Sequence, residues 1–432
     1  MRVDPLGGST APHLKIGYCF VSTRWGFDVS GDNDADPTAS NGGCPYPVEE
    51  FNNFEHGAVL SHVETIDRLR DRAPFIRSTF GPGFWVLTDG ELVQHALQRP
   101  DVFSSSVVTP LDPEPQYQWI PEMLDPPEHT AWRQLLAPHF TPKRMEAMEA
   151  KVQRRCVEII ESFAGNGHCD FLREFAWKYP TTIFMDMMGL PLEGLDQFMD
   201  WEHDILHLTV DEDPDRSRAG AAMGAVTGYF AELIAEKRKR PGDDLLTESL
   251  GWRIAGEPIP LNDLLAWCLL MFMAGLDTVS IQLSYAFWHL AGHPQDRERL
   301  VAQPDLATGA VEEFLRYFAF VAPARKVMVD GDFGGCPLSK GDMVLVPLSA
   351  LTRDPSRFPR ADEFVLDRQL NNHAAFGLGP HRCLGSHLAR RELRVALEEW
   401  HRRIPQYRLT EGVEVIEHGG MYGIDRLELS WD

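Results

Sequence analysis

One cysteine of this chain lies in surroundings that favour an ionised thiol. Cys383 belongs to the glycine-rich stretch 376–385, and the residues that follow it, 384–397, have a composition typical of a helix. The positive end of a helix lowers the pKa of a nearby thiol, and backbone N–H groups close to a sulfur tune a metal bound to it. The stretch therefore predicts a thiolate ligand for a metal, with a buried cysteine in a tight turn as the alternative.

The residues around Cys383 suit a ligand that is flat and carries negative charge. Gly377 lets the backbone adopt conformations closed to other residues and approach a ligand closely. Phe376 can pack against a flat ring system, and His381 and Arg382 offer polar or positive groups to an anion.

A second motif lies in the middle of the apolar segment 261–292, which predicts one long helix. Asp277 and Thr278 are unfavourable in such a helix without partners, and Gly275 costs ~1 kcal/mol relative to alanine there. Ala274 and Thr278 are four residues apart and share a face, on which small side chains and one hydroxyl leave room for a flat ligand or for dioxygen. Asp277 points elsewhere and could relay protons through water. The alternative is a helix kink with a hydrogen-bonded threonine.

These residues must be positioned by a mainly helical fold with a minor β part. The chain has 432 residues, enough for two or three domains or for one large domain. Residues 1–53 are rich in Gly, Asp, Asn, Ser and Pro and are predicted to be flexible, whereas 54–432 are predicted to form a single domain. Helices are predicted at 144–163, 173–188, 197–208, 219–239, 261–292, 306–317 and 384–401, strands at 84–87, 326–329 and 343–346, and glycine turns at 331–335 and 341–342.

The composition excludes several classes of function. The net charge of −23 disfavours binding to nucleic acid or to anionic membranes, although the stretch 382–403 is locally rich in arginine. The longest apolar run, 264–276, is shorter than the ~18 residues that a membrane span needs. No signal pattern is present, and seven cysteines without a C-x-x-C pair disfavour a disulfide framework or a structural zinc site. We therefore expect a soluble, cytoplasmic protein.

A third motif is the pair Glu313 and Arg316, three residues apart on one predicted helix. Such pairs are usually weak on a surface. Because this helix precedes an apolar segment, the pair is expected to be buried and structural.

These three motifs, in this order, resemble those of the cytochrome P450 monooxygenases. They read Ala-Gly-x-Asp-Thr, Glu-x-x-Arg and Phe-Gly-x-Gly-x-His-x-Cys-x-Gly, and the resemblance extends from about residue 67 to 432. The chain is more closely similar to the soluble bacterial branch that contains camphor hydroxylase. The resemblance implies the P450 fold, with haem b between the long central helix and the cysteine loop with its helix.

The resemblance also implies a role for each matching residue. Cys383 is the proximal thiolate, Asp277 and Thr278 are the catalytic pair that delivers protons during oxygen activation, and Glu313 and Arg316 lock the fold. The remaining positions implied to contact the haem are His129, Arg133, Ala274, Gly275, Arg325, Phe376, Gly377, His381 and Gly385.

Two departures from the family pattern concern charge. Relatives often carry Arg or His directly before Phe364, where this chain has Glu363, so Arg360 is a candidate substitute in the network of Glu313 and Arg316, unless the network differs. At Pro323, two residues before Arg325, the camphor enzyme has an acid near a haem propionate.

By the same resemblance, Tyr117 is placed to hold a substrate carbonyl, with a tyrosine packed in a loop as the alternative. The apolar walls are implied to be Leu270, Met273, Val321, Met421 and Tyr422. This set favours a compact hydrophobic substrate with one polar group, such as a terpenoid or norisoprenoid, while an aromatic or fatty-acid-like substrate stays open. His203 and His207, four apart in a predicted lid at 199–215, form a possible metal pair, although two histidines without a third ligand are more often surface residues.

The partner implied is a 2Fe-2S ferredoxin, reduced by an NAD(P)H-dependent ferredoxin reductase, which would dock on the arginine-rich stretch 382–403. The further alternatives are a haem-binding sensor or carrier without turnover, and a haem-thiolate enzyme of peroxide-driven or isomerase chemistry. The presence of both Asp277 and Thr278 favours the monooxygenase, because a carrier needs no proton relay.

Overall fold

The computed structural model describes residues 46–208, 212, 213 and 215–432. Most of the segment predicted to be flexible, residues 1–45, therefore lies outside the described residues. Residues 46–53, at the end of that segment, include a short strand. The helices are α1 Ser61–Arg70, α2 Gly90–Gln98, α3 Glu128–Leu136, α4 Pro142–Ala147, α5 Glu149–Phe163, α6 Lys178–Met188, α7 Leu195–Leu206, α8 Ser217–Lys237, α9 Leu245–Ser249, α10 Leu261–Gly292, α11 Pro294–Ala302, α12 Ala307–Tyr317, α13 Leu348–Thr352 and α14 Ser386–Arg403.

The β part is small and lies in several sheets. The strands are β1 Val48–Glu49, β2 Gly57–Ala58, β3 Phe75–Ser78, β4 Phe84–Leu87, β5 Phe103–Ser104, β6 His168–Asp170, β7 Arg253–Ile254, β8 Glu257–Pro258, β9 Ala324–Val327, β10 Gly331–Phe333, β11 Cys336–Leu338, β12 Met343–Leu345, β13 Arg408–Leu409, β14 Ile416–His418, β15 Gly423–Ile424 and β16 Glu428–Ser430. The largest sheet has the order β1-β3-β4-β12-β9-β5, with β12 parallel to β4 and antiparallel to β9.

The long helix α10 has the bounds that its apolar pattern predicts, because Pro260 and Pro294 flank a run that is apolar on all sides. It is helical throughout. The Thr278 hydroxyl donates to the Ala274 carbonyl at 3.0 Å, which satisfies it within the helix. Among the described residues α10 alone is long and apolar enough to cross a membrane, but it lies mostly buried in the protein core.

Other predicted elements differ in detail from the structure. The predicted helix 144–163 is divided into α4 and α5 at Met148, and a π turn at Leu172–Ala176 precedes α6. The segment 331–335, predicted as a turn, contains β10 and the turn of a hairpin in which β10 pairs antiparallel with β11. Helix α12 begins at Ala307 and α14 at Ser386, each within two residues of the prediction.

The pair on α12 is the centre of a buried network. Glu313 and Arg316 side chains have 0% exposure, and Arg316 Nη2 lies 2.8 Å from Glu313 Oε1. The third charged member is Arg368, whose Nε lies 2.9 Å from Glu313 Oε2. The suggestion that Arg360 completes this network is wrong, because Arg360 pairs with Glu363 at the surface at 3.3 Å.

The cysteines that the structure describes are either free thiols or disulfide-bonded. Cys156, Cys169 and Cys268 are buried free thiols, and Cys383 is an exposed one. Cys336 is disulfide-bonded, which the cysteine count did not predict.

Candidate active site

The cysteine loop is closed by backbone hydrogen bonds that fix the position of Cys383. The Cys383 N–H donates to the Phe376 carbonyl at 2.8 Å, and the Gly377 N–H donates to the Ala374 carbonyl at 2.8 Å. Gly377 and Gly379 have φ values of +71° and +70°, in the left-handed region that favours glycine. Space around Gly377 is open, since a side chain there would meet nothing within 4 Å. The loop therefore presents Cys383 beside a surface without side chains.

The Cys383 thiol is exposed to solvent, yet protein atoms surround it on most sides. Burial in this recess raises its pKa, against the Gly385 N–H and the guanidinium groups of Arg133 and Arg382, which lower it. The helix end therefore lowers this pKa as expected, through the Gly385 N–H, but burial outweighs it and the net shift in the protein without metal is upward. A bound metal would stabilise the thiolate, as metals generally do for the thiols that ligate them.

A cluster of basic side chains lies close to this loop. His129 and Arg133 are four residues apart on α3, Arg325 is on β9, and His381 is in the cysteine loop. The rings of His129 and His381 lie 4.0 Å apart. Arg133 Nη2 donates to the Arg382 carbonyl at 2.7 Å, which ties α3 to the loop. Four residues predicted to hold haem carboxylates are thus brought together from three parts of the chain.

The acidic side chains near this basic cluster do not satisfy its ring nitrogens. Burial lowers the pKa of His129 to about 4 and that of His381 to about 2, with nearby guanidinium groups adding to both shifts. His129 Nδ1 and both ring nitrogens of His381 are buried without hydrogen-bond partners. Unpartnered polar atoms of this kind cost ~1–3 kcal/mol each, so the cluster fits a ligand that brings carboxylates. Haem b carries two.

Sequence analysis missed one acidic member of this cluster, Glu122. Its Oε2 lies 4.0 Å from His381 Nδ1, and its pKa is raised by burial, against the lowering influence of Arg325 and Arg133. The signal that could have identified it is a lone carboxylate in the apolar segment 119–124.

In the middle of α10, Ala274, Gly275 and Thr278 face a space inside the protein. We call this part of the helix the open wall. Ala274 is exposed and Thr278 half-buried, although most of the helix around them is buried. A side chain at Gly275 would meet only Phe184, at 3.8 Å. Helix α10 packs against α14, the helix that follows the cysteine loop. A space lined by small groups, an exposed thiol and unpartnered donors for carboxylates together fit haem.

Asp277 lies on a different face of α10, as predicted, and is 2% exposed. Its Oδ1 lies 3.1 Å from Nε2 of His207, which directly follows α7. Burial lowers the pKa of His207, but the Asp277 carboxylate outweighs this effect and the net pKa is raised. Glu202 of α7 lies in the same group, and sequence analysis missed it because nothing local marks it. The rings of His203 and His207, the possible metal pair, lie 6.0 Å apart, and His203 is outside this group.

The residues predicted to bind substrate are not all brought together. Tyr117 is half-buried, and its ring lies 5.3 Å from that of Trp119. It lines a cleft with Met223 of α8 and Leu269 of α10, and burial raises its pKa. The described lining of this cleft includes none of the other predicted substrate residues, which are Leu270, Met273, Val321, Met421 and Tyr422.

Those other residues occupy different environments. Met273 is buried at 5% exposure, whereas Leu270 and Val321 are half-buried. Met421 is exposed at 38%. Tyr422 is buried, and its ring stacks on that of His62 at 3.9 Å, so its contacts include a core partner.

The arginine-rich stretch 382–403 is largely neutralised by ion pairs. Five of its arginines pair with glutamates: Arg390 with Glu312, Arg391 and Arg394 with Glu149, and Arg402 and Arg403 with Glu399. Within the part of the chain that the structure describes, Arg382 alone in this stretch has no ion pair. The expected basic face is therefore reduced to a smaller positive area around Arg382.

Comparisons with known proteins identify the family. The family model for cytochrome P450 matches residues 74–403. A probable cytochrome P450 127A1 of Sinorhizobium fredii is 34% identical over 355 residues, covering 81% of this chain and 84% of the relative. The vitamin D(3) 25-hydroxylase of Pseudonocardia autotrophica is 32% identical over 295 residues, covering 68% of this chain and 72% of the relative. The crystal structure of CYP101J2 superposes with a TM-score of 0.81 at 30% identity, covering 89% of this chain and 97% of that one.

The chain belongs to the cytochrome P450 family, and it is a haem-iron oxidoreductase with the P450 fold.

Proposed function

We propose that this P450 inserts one oxygen atom of O2 into a C–H bond of a compact hydrophobic substrate, with haem b held by Cys383. The observation that carries the proposal is the exposed Cys383 thiol beside a basic cluster whose buried ring nitrogens lack hydrogen-bond partners. When bound, the haem supplies the oxygen chemistry, and the protein supplies its position, its charge environment and its protons. Arg133, Arg325 and His381, with His129, would hold the two carboxylates.

The contacts support separate roles for Asp277 and Thr278. The Thr278 hydroxyl lies on the open wall and donates to the Ala274 carbonyl, so it can rotate to donate to a ligand in that space. Asp277 is buried on another face of α10, where it contacts His207 of the segment after α7. We infer that Asp277 brings protons into the helix region and Thr278 delivers them at the open wall.

The ligand assignment is tested by the spectrum of the ferrous protein with carbon monoxide. The wild type should show the shifted Soret band of a thiolate ligand, and Cys383→Ser should lose that shift while some haem remains bound. Cys156→Ala, which removes a buried thiol elsewhere, is the matched control and should keep the shift. A shifted band in Cys383→Ser would refute the assignment.

The proton role is tested by the fate of the electrons. Thr278→Ala should leave haem and substrate binding intact but divert reducing equivalents into hydrogen peroxide. Thr181→Ala on α6, which removes a hydroxyl that also donates to the carbonyl four residues earlier, is the control. Unchanged coupling of electron use to product in Thr278→Ala would contradict the role.

For the substrate we propose a terpenoid or norisoprenoid-like molecule whose carbonyl is held by Tyr117. The half-buried phenol beside an apolar cleft supports this, and the similar vitamin D(3) 25-hydroxylase is named for a substrate that is likewise hydrophobic. A panel of terpenoids, aromatics and fatty acids, screened for the change in haem spin state, tests the class. Tyr117→Phe should weaken binding of carbonyl compounds by about tenfold, the ~1.4 kcal/mol of one hydrogen bond, and leave their deoxy analogues unchanged.

For electrons we propose a 2Fe-2S ferredoxin served by an NAD(P)H-dependent reductase. Arg382, exposed next to the ligand Cys383 and without an ion pair among the described residues, supports a docking point for an acidic partner. Arg382→Glu should slow reduction by ferredoxin but not by dithionite.

We also propose a cytoplasmic location. The disulfide of Cys336 counts against it, because disulfides are rare in reducing compartments. The test is alkylation of free thiols in intact cells, followed by mass spectrometry of this chain. Alkylated Cys336 would indicate a reducing compartment, and a protected Cys336 an oxidising one.

A further inference from the structure

Three side chains that could bind a metal converge between α7 and α10. Glu202 lies on α7, His207 directly follows it, and Asp277 lies on α10. One ligand atom from each lies within 4.8 Å of the other two. Glu202 and Asp277 are each 2% exposed, and the His207 side chain is 12% exposed. The group is therefore enclosed by protein and is not a patch of surface acids.

The atoms of this group are directed into a shared space without being satisfied there. Glu202 Oε1, His207 Nε2 and Asp277 Oδ1 are all buried without a hydrogen-bond partner. His207 Nε2 and Asp277 Oδ1 are 3.1 Å apart and form an ion pair when the imidazole is protonated, whereas Glu202 Oε1 has no such partner among the described residues. Native proteins seldom leave three such atoms together, because each unsatisfied buried group is costly.

The two carboxylates of this group would be balanced by a cation. Two buried carboxylates within 4.8 Å of each other repel unless a positive charge lies between them. No lysine or arginine within the described ranges pairs with either carboxylate, so His207 is their sole positive partner there. A divalent cation would balance both carboxylates and leave the imidazole neutral, which is the form that ligates metals.

We propose that Glu202, His207 and Asp277 form a binding site for a divalent transition metal of the zinc type, with water as the fourth ligand. One imidazole and two carboxylates suit Zn²⁺, which accepts four mixed nitrogen and oxygen ligands. Mg²⁺ and Ca²⁺ prefer six or more oxygens, and three side chains with a nitrogen among them do not provide these.

The site would connect the end of α7 to the middle of α10. A bound metal would occupy the Asp277 carboxylate and hold the end of α7 against α10. If Asp277 brings in protons, as the proposed function states, zinc would also inhibit substrate oxidation. This consequence rests on the proposed function, whereas binding of the metal does not.

The test is titration of the haem-loaded, full-length protein with Zn²⁺ after removal of adventitious metal, by calorimetry and by elemental analysis of the dialysed protein. His207→Ala and Glu202→Gln remove one proposed ligand each. His203→Ala removes a neighbouring histidine four residues away that is outside the group and is the matched control. Wild type and His203→Ala should bind one more equivalent of zinc than the two ligand variants, or bind it more than about tenfold tighter. A change of this size is already seen when residues that only support the ligands of a metal are altered.

Equal stoichiometry and affinity in all four proteins would overturn the site, as would absence of zinc binding in the wild type. Loss of binding in His203→Ala and His207→Ala but not in Glu202→Gln would assign the metal to the histidine pair and equally overturn it. Zinc bound as proposed but without slower substrate oxidation would leave the site standing and refute the proton role of Asp277.

Discussion

Glu313→Gln is expected to be among the most damaging conservative substitutions in this chain. The Glu313 carboxylate is fully buried and accepts hydrogen bonds from Arg316, from Nε of Arg368, from the Val365 N–H at 2.8 Å and from the Asn371 side chain at 3.0 Å. Glutamine keeps the shape but removes the one carboxylate that, among the described residues, pairs with these two guanidinium groups. It also turns an N–H₂ group toward donors. Removing one partner of a buried ion pair costs ~3–5 kcal/mol.

The matched control is Glu363→Gln, the same change at the surface. Glu363 pairs with Arg360 at 3.3 Å, and both side chains are more than half exposed, at 54% and 60%. Exposed pairs of this kind contribute ~0–1 kcal/mol. The assay is urea unfolding of both haem-loaded variants, followed by far-ultraviolet circular dichroism and by haem absorbance. A loss of less than about 1 kcal/mol for Glu313→Gln, or a loss equal to that of the control, would refute the argument from burial.

Three further predictions follow from local geometry. Burial lowers the pKa of His401 to about 4, whereas the unfolded imidazole titrates near ~6.5. The unfolded state therefore binds more protons, and stability should fall by ~3 kcal/mol as pH drops from about 6.5 to about 4, a slope that His401→Gln should flatten in urea unfolding. Gly379→Ala should destabilise the cysteine loop more than Gly377→Ala, because both have positive φ but only at Gly379 would the new Cβ strike the Leu97 backbone; equal unfolding free energies would contradict this. Arg133→Gln should lower haem retention and raise the pKa of the Cys383 thiol in the haem-free protein, measured by its alkylation rate against pH, because it removes a nearby positive charge.

How far the sequence predicts the structure depends on how local the determining interaction is. Helix α10 has its predicted bounds because an apolar run between two prolines leaves few alternatives. Arg368 was missed as a partner of Glu313 because the two are 55 residues apart, and only the path of the chain between them brings them together. Glu122 and Glu202 were missed for the same reason, since their significance lies in neighbours from other elements.

The predicted pKa of Cys383 shows where local reasoning misleads. The position before a helix favours the thiolate, but burial by the rest of the fold outweighs it. The direction of the shift depends on how much protein surrounds the sulfur, and the sequence around Cys383 does not contain this information.

The proposed haem site has two parts, and each part lacks a charged partner. The missing charge is positive at the thiol and negative at the basic cluster. The Cys383 thiol needs a positive partner before it ionises, because burial raises its pKa. The cluster of Arg133, Arg325, His129 and His381 keeps ring nitrogens without hydrogen-bond partners, and its one acidic member, Glu122, does not satisfy them. A small metal ion would satisfy only the thiol, and a simple dicarboxylate only the basic cluster. Haem carries a cationic iron and two carboxylates on one rigid frame, so a single ligand compensates both deficits. In the proposed site, selectivity for haem would therefore arise from the pairing of two unfavourable charge environments, each of which would be costly to maintain alone.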